Sequence, residues 1–158
     1  IGYITQSCRE AASRIEVWKT SEKRFPKGKC FSDALKYARQ HDYKVYFINY
    51  DRPICGMKNI KPKTLEEFLG LIYNAKMIFT ASYHGMLFAV YFNKEFLFYT
   101  RAHKSRMLSV AERLGLNNNC GDSMDISMYR KIDYSIVNLK LQNFREESIE
   151  ILSAMINE

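Results

Sequence analysis

Two short apolar segments flank one longer apolar segment near the middle of the chain, and a basic loop follows the second of them. Residues 76–80 and 96–100 are rich in strand-forming side chains, whereas residues 86–92 are too long and unbroken for a turn. A strand, a helix and a strand at this spacing predict a βαβ unit, in which the two strands run parallel and side by side. Parallel strands that are buried on both faces are apolar throughout, as these two are.

Polar and basic side chains follow both predicted strands at the point where each strand ends. They are Ser82, Tyr83, His84 and Gly85 after the first strand, and Arg101, His103, Lys104 and Arg106 after the second. The carboxyl ends of neighbouring parallel strands lie at one edge of the sheet, which is where open α/β sheets bind ligands. Backbone N–H groups in the first turn of a helix are unpaired and carry partial positive charge. We therefore expect an anion-binding site at this edge.

Two interpretations of the Ser-Tyr-His-Gly turn are open. In the functional one, Ser82 caps the helix, Gly85 lets a ligand approach the backbone, and His84 adds a titratable donor. In the structural one, Ser82 only caps the helix and His84 is a hydrogen-bonded structural residue. The neighbouring basic cluster favours the functional interpretation, because cations without paired acids call for an anion, although each cation could also belong to a solvated loop.

The remaining segments continue the alternation of helices and strands. We expect a strand at 1–5, a helix at 8–18, a helix at 32–40, a strand at 44–49, a helix that begins after Thr64, and a helix at 105–114 that stops at Gly115. A last helix capped by Asn143 is expected to bury Ile149, Leu152 and Ile156, and residues 132–137 to pair briefly as a strand. This order predicts an α/β fold with a Rossmann-like parallel sheet and helices on both faces.

The length of 158 residues corresponds to about one domain. We divide it into an N-terminal basic segment of uncertain structure, residues 1–32, and a Rossmann-like domain, residues 33–158. Residues 1–63 carry 14 Lys and Arg against 6 Asp and Glu, so the basic surplus lies in the first part of the chain. This surplus could face an anionic membrane surface or an acidic partner. Nucleic acid is not expected, because regularly interleaved aromatic residues are missing.

Several classes of protein are disfavoured by motifs that the sequence lacks. The four cysteines show no C-x-x-C spacing, which argues against a zinc site or a disulfide framework and favours free thiols in a reducing compartment. No phosphate-binding glycine loop or H-E-x-x-H motif occurs, and no metal or cofactor is expected. No apolar run is long enough for a membrane span, and no signal peptide is expected. We expect a cytoplasmic protein, and its start at Ile1 suggests a piece of a longer chain.

Taken together, these motifs resemble the C-terminal half of the polysaccharide pyruvyl transferases. That family has a strand ending in Ser-Phe-His-Gly, a helix ending near Asn-Lys-Pro-Phe, and an Arg that opens Arg-x-x-x-Leu-Leu-x-x-Leu-Gly-Leu. An Ile-Asp-Tyr and a late Arg-x-x-Ser lead into its last helix. The corresponding residues here are Ser82-Tyr83-His84-Gly85, Asn93-Lys94-Glu95-Phe96, Arg106 with Leu114-Gly115-Leu116, Ile132-Asp133-Tyr134 and Arg145-Glu146-Glu147-Ser148. Tyr83 and Glu95 replace Phe and Pro of the pattern, and the resemblance spans residues 63–156.

The resemblance implies the C-terminal domain of a two-domain enzyme of GT-B type. It implies transfer of a pyruvyl group from phosphoenolpyruvate to a glycan or lipid-linked sugar of a cell-surface polysaccharide. His84 and Arg106 would be catalytic, with His84 as phosphate ligand and general acid. Ser82, Tyr83, Gly85, Arg101, His103 and Lys104 would bind substrate. The facing N-terminal domain would be a partner, and contact with the inner face of a membrane is compatible with the basic surplus.

Two other functions are compatible with the same residues. A GT-B glycosyltransferase would use this edge for a sugar nucleotide, with Asp122, Asp125 or Asp133 binding the ribose hydroxyls. A non-enzymatic basic module would dock residues 1–63 on an acidic partner and keep a degenerate pocket.

Overall fold

A computed structural model describes residues 2–7, 28–48, 58–100 and 104–156. The five strands of these ranges are β1 (Gly2–Ser7), β2 (Tyr43–Ile48), β3 (Lys58–Ile60), β4 (Met77–Thr80) and β5 (Phe96–Phe98). The helices are α1 (Lys29–His41), α2 (Leu65–Asn74), α3 (Tyr83–Tyr91), α4 (Lys104–Leu114) and α5 (Tyr134–Ile156). Two short 3₁₀ turns, Asn117–Asn119 and Ile126–Met128, lie between α4 and α5.

The strands form a single mixed sheet in the order β3-β2-β1-β4-β5. β4 and β5 are parallel, with Thr80 beside Phe98, so the predicted βαβ unit is confirmed. β2 and β3 form a second parallel pair. The expected parallel Rossmann-like sheet is wrong at its centre, because β1 runs antiparallel to both β2 and β4. The direction of a strand relative to its neighbours depends on how the chain connects them, and the short segment Gly2–Ser7 contains no signal for it.

Both faces of the sheet are covered, as predicted. Phe79 and Leu97 point to the face where Phe31 and Ala34 of α1 pack. Their neighbours Ile78, Phe96 and Phe98 point to the opposite face, where buried residues of α2, α3, α4 and α5 form the larger core. This alternation follows from the period of two along a strand, which sends successive side chains to opposite faces.

Three predicted helix signals are confirmed by hydrogen bonds or backbone angles. Thr64 Oγ1 accepts from the backbone N–H of Glu67 at 3.2 Å, which begins α2. Ser82 Oγ accepts from the N–H of Gly85 at 3.4 Å, which begins α3. Gly115 has a φ of 74°, the left-handed conformation that commonly ends a helix. The helix expected from residue 32 begins earlier, at Lys29, with Gly28 before its first turn.

The C-terminal helix departs most from the prediction. Asp133 Oδ1 accepts from the N–H of Ser135 at 3.0 Å, so α5 begins at Tyr134 and the expected strand at 132–137 is wrong. Asn143 therefore lies inside a helix of 23 residues rather than at its cap. The expected burial is also wrong: Ile149, Leu152 and Ile156 are 61%, 57% and 82% exposed. α5 packs on the core through its first turns, where Val137 is buried, and its later turns lack that contact.

Some predictions lie outside the described residues. These are the helix at 8–18 and the positions of Arg101 and His103. The second, facing domain and the division at residue 32 stay predictions. Within the described ranges, the helices are either too short or too polar to cross a lipid bilayer.

Candidate functional site

The Ser82–Gly85 turn connects the carboxyl end of β4 to the first turn of α3. Ser82 has extended backbone angles, and its side chain closes the turn on the N–H of Gly85. α3 carries no acidic residue in its first turn, so no side chain there neutralises the partial positive charge of the helix N-terminus. Tyr83 is half-buried and His84 is exposed. The imidazole is thus available to a ligand beside this helix end.

Tyr83 contacts both His84 and Arg106. The rings of Tyr83 and His84 have centroids 5.8 Å apart in an edge-to-face arrangement. The guanidinium carbon of Arg106 lies 5.4 Å from the centroid of the Tyr83 ring, within the range of a cation–π contact. The structure therefore brings together three of the predicted site residues, from two helices that follow neighbouring parallel strands.

The start of α4 adds a second helix N-terminus to the same edge of the sheet. α4 begins at Lys104, after β5, and its first turn also contains no acidic residue. The side chain of Lys104 is not among those described, and Arg101 and His103 lie outside the described residues. Two helix N-termini and the guanidinium of Arg106 together form an environment suited to a doubly charged anion.

A buried threonine that sequence reasoning missed lies directly beneath the turn. Thr80 Oγ1 accepts from the backbone N–H of Ser82 at 3.1 Å, and Thr80 is completely buried. A Cβ added to Gly85 would lie 2.5 Å from this oxygen. Close packing against the strand thus requires glycine at position 85, a role distinct from the predicted approach of a ligand. A polar residue at the end of an apolar strand was the available signal.

An aspartate that contacts the end of β5 was also assigned differently from sequence. Asp122 Oδ2 accepts from both the N–H and the hydroxyl of Thr100, each at 2.7 Å. The segment that carries Asp122 is itself attached to β5, because the N–H of Gly121 donates to Phe98 O at 2.8 Å. These contacts fix the backbone that follows β5, immediately before Arg101. Twenty-two residues separate Asp122 from Thr100, so the pairing has no local sequence signal.

A buried polar network fixes the start of α1 against the edge of the sheet at which β4 and β5 end. The hydroxyl of Tyr99 donates to Asp33 Oδ2 at 2.7 Å, and Lys29 Nζ lies 2.5 Å from that oxygen. Lys29 also donates to Met124 O at 2.7 Å. Burial, followed by the hydrogen bond to Asp33 and its charge, raises the pKa of Tyr99 far above its ordinary value. Tyr99 therefore stays protonated and serves as a structural donor.

Comparison of the sequence with models of protein families identifies the family of this chain. A family model described as polysaccharide pyruvyl transferase matches residues 12–103, which is more than half of the chain. The chain belongs to the polysaccharide pyruvyl transferase family. The match includes the Ser82–Gly85 turn and both parallel strands of the βαβ unit. No curated protein and no solved structure matches the chain.

In this member of the pyruvyl transferase family, the three acids considered for a ribose site all have structural partners. Asp122 accepts from Thr100, and Asp133 caps α5 through Ser135. Asp125 accepts from the N–H of Ser127 at 2.8 Å and pairs with Lys36 at 3.1 Å. Those hydrogen bonds, with the Lys36 charge, hold the pKa of Asp125 well below its usual range. The described residues therefore give no specific support to binding of a nucleotide ribose.

Proposed function

We propose that this chain carries the donor site of a polysaccharide pyruvyl transferase that uses phosphoenolpyruvate. The observation that supports this most is the meeting of Tyr83, His84 and Arg106 at the N-terminus of α3. The absence of acids from the first turns of α3 and α4 makes this environment favourable to an anion.

Phosphoenolpyruvate matches this environment because it carries two anionic groups, a phosphate and a carboxylate, attached to the same carbon atom. The first N–H groups of α3 and the His84 imidazole bind the phosphate. Arg106 binds the carboxylate or the phosphate through two parallel N–H···O bonds, the geometry for which a guanidinium is suited. The ring of Tyr83 contacts both the His84 ring and the Arg106 guanidinium, and so links the two groups.

The proposed chemistry begins with a proton that the His84 imidazolium gives to the methylene carbon of phosphoenolpyruvate. The adjacent carbon becomes electrophilic, and an acceptor hydroxyl attacks it and passes its own proton to the neutral imidazole, which restores the imidazolium. A second hydroxyl of the same sugar then attacks this carbon and passes its proton to the phosphate, which leaves with the bonding electrons of its C–O bond, and a pyruvate ketal is formed. Imidazole is the side chain most often used as a proton donor near neutral pH. Arg106 stabilises the departing phosphate, so the scheme requires no metal.

The acceptor in this proposal is a sugar of a cell-surface polysaccharide, either as a glycan or as a lipid-linked unit. A facing domain would supply the acceptor site, as in two-domain transferases of GT-B type. The reaction would take place in the cytoplasm, at the inner face of the membrane if the acceptor is lipid-linked. A basic surface in residues 1–63 would favour such a membrane contact.

Calorimetric titration tests the donor directly. Phosphoenolpyruvate and a nucleoside diphosphate sugar are titrated separately into the wild-type chain and into His84→Ala and His41→Ala. His41 is the matched control, because it is also exposed but ends α1 at the opposite edge of the sheet, next to Tyr43. Removing a charged hydrogen-bond partner should weaken phosphoenolpyruvate binding by roughly ten- to a hundredfold in His84→Ala. His41→Ala should bind as the wild type does.

Saturable binding of phosphoenolpyruvate that is lost only in His84→Ala supports the proposal. Binding of the nucleotide sugar instead would favour a glycosyltransferase. Equal binding of phosphoenolpyruvate by His84→Ala and the wild type would exclude the turn as the donor site.

A further inference from the structure

Thr80 is the one polar residue of β4, and its hydroxyl is enclosed by protein. The other residues of the strand, Met77, Ile78 and Phe79, are buried and apolar. Thr80 itself has no exposed surface. A valine would have nearly the same shape without a polar atom to bury, so the hydroxyl needs a reason to be there.

The hydroxyl contacts both backbone groups of Ser82. Thr80 Oγ1 accepts from the Ser82 N–H at 3.1 Å and lies 3.4 Å from Ser82 O, toward which it can donate. The same oxygen fills the space where a side chain of residue 85 would begin, 2.5 Å from the position of its Cβ. One hydroxyl therefore contacts the start and the end of the four-residue turn.

Ser82 continues the connection, because its own hydroxyl accepts from the N–H of Gly85. The two hydroxyls act in series, from Thr80 to Ser82 and from Ser82 to Gly85. Between their attachment points lie Tyr83 and His84. The direction of both side chains is set by the backbone of this turn, and hence by the two hydroxyls.

We propose that Thr80 is a positioning residue for the donor site: its buried hydroxyl fixes the turn that directs His84 and Tyr83 toward the anion. This inference rests on the proposed function for its ligand, phosphoenolpyruvate. Thr80 does not touch the ligand and acts only through Ser82 and Gly85. Loss of its hydroxyl lets the turn adopt other geometries, and the anion then meets misplaced donors.

Three variants distinguish the effect of the Thr80 hydroxyl on ligand binding from a general loss of stability. Thr80→Val removes the hydroxyl and keeps the volume, whereas Thr80→Ser keeps the hydroxyl and removes a methyl group. Ile78→Val is the matched control, because it removes one buried methylene from the same strand and changes a side chain that has no hydrogen-bonding group. Phosphoenolpyruvate affinity, the melting temperature and the amide NMR resonances of residues 82–85 are measured for each.

Thr80→Val is expected to weaken phosphoenolpyruvate binding by about five- to tenfold, the effect of one or two lost hydrogen bonds. Thr80→Ser should stay within about twofold of the wild type, and Ile78→Val should lower only the melting temperature. Unchanged affinity in Thr80→Val would overturn the proposal. Equal losses in Thr80→Ser or Ile78→Val would overturn it as well, since packing rather than the hydroxyl would then be responsible.

Failure of the proposed function gives a different result. If the wild-type chain does not bind phosphoenolpyruvate, the donor assignment is wrong, and the resonances decide the role of Thr80. Shifts of the Ser82, His84 and Gly85 amides in Thr80→Val, absent from Thr80→Ser, support the positioning role. Unshifted amides in Thr80→Val overturn it.

Discussion

The guanidinium carbon of Arg106 lies 5.4 Å from the centre of the Tyr83 ring, so a residue of α4 is attached to the first turn of α3. The contact joins two helices that each begin where one of the parallel strands ends. A guanidinium that stacks on an aromatic ring is held in one orientation and can still donate hydrogen bonds within its own plane. Phe stands at this position in the family pattern, and it offers the same ring face.

The ring of Tyr83, rather than its hydroxyl, should therefore matter for anion binding. We expect Tyr83→Leu to weaken phosphoenolpyruvate binding by about two- to fivefold, the value of an exposed cation–π contact. Tyr83→Phe should bind as the wild type does. Calorimetric titration measures both.

Tyr91→Leu is the control for this comparison. Arg145 lies over the Tyr91 ring at 5.1 Å, a contact of the same kind at the opposite end of α3. Loss of the Arg145–Tyr91 contact should leave the affinity for phosphoenolpyruvate unchanged. Wild-type affinity in Tyr83→Leu would show that the ring does not hold Arg106 for the ligand.

Replacement of two helical glycines by alanine should change the free energy of unfolding in opposite directions. Gly85→Ala places a Cβ 2.5 Å from Thr80 Oγ1, and this overpacking should cost about 1–3 kcal/mol of unfolding free energy. Gly70→Ala in α2 meets no atom within 4 Å and should gain up to about 1 kcal/mol through helix propensity. Thermal unfolding followed by circular dichroism measures both. Equal melting temperatures for the two variants would contradict the close approach of Thr80 to Gly85.

The hydroxyl of Tyr99 should contribute to stability and not to ligand binding. Tyr99→Phe removes the 2.7 Å bond to the buried carboxylate of Asp33, which should lower the free energy of unfolding by about 1.5–3 kcal/mol. Tyr73→Phe is the control, because Tyr73 is 60% exposed, and its change should stay within about 0.5 kcal/mol. Denaturant unfolding measures both variants, and equal midpoints would show that the Tyr99–Asp33 bond adds nothing.

The stability of the chain should depend on Asp125 in acid. Its pKa in the folded chain is lowered by the N–H of Ser127 first, then by the Ser127 hydroxyl and Lys36. The unfolded value is about 4, so the contribution of Asp125 is complete above that pH and is lost as pH falls through the lower folded pKa.

Asp125→Asn keeps an acceptor for Ser127 but cannot change its charge. Its melting temperature should therefore fall less than that of the wild type between about pH 6 and about pH 3. Parallel melting curves for the two proteins over this range would rule out the ionised Asp125 as a source of stability.

Local hydrogen bonds were the part of the fold that the sequence predicted well. The Thr64 and Ser82 caps involve partners only three residues away, so the pattern of residue types contains them. The start of α5 was missed because the short apolar segment around Asp133 is compatible with a brief strand as well as with a helix, and the hydrogen bond from Ser135 to Asp133 shows which of the two forms. The antiparallel direction of β1 depends on both of its neighbours in the sheet, which no local pattern records.

The same difference between local and long-range contacts holds for the candidate site. The sequence predicted that Tyr83, His84 and Arg106 would meet, because the ends of parallel strands share an edge. It did not predict the Tyr83–Arg106 contact itself, which depends on how α3 and α4 pack. Thr80 was taken for an ordinary strand residue, since a buried hydroxyl reveals its role only when its partners are known.

NMR of the histidine rings tests the central claim most directly, because it reports on His84 itself. Phosphoenolpyruvate is added to the labelled chain, and the ring signal of His84 is assigned as the one missing from His84→Ala. We expect this signal to shift saturably, with the same dissociation constant as calorimetry gives, while the signal of His41 at the opposite edge stays in place. Saturation of the chain with phosphoenolpyruvate without any shift at His84 would contradict the assignment of the donor site to this turn.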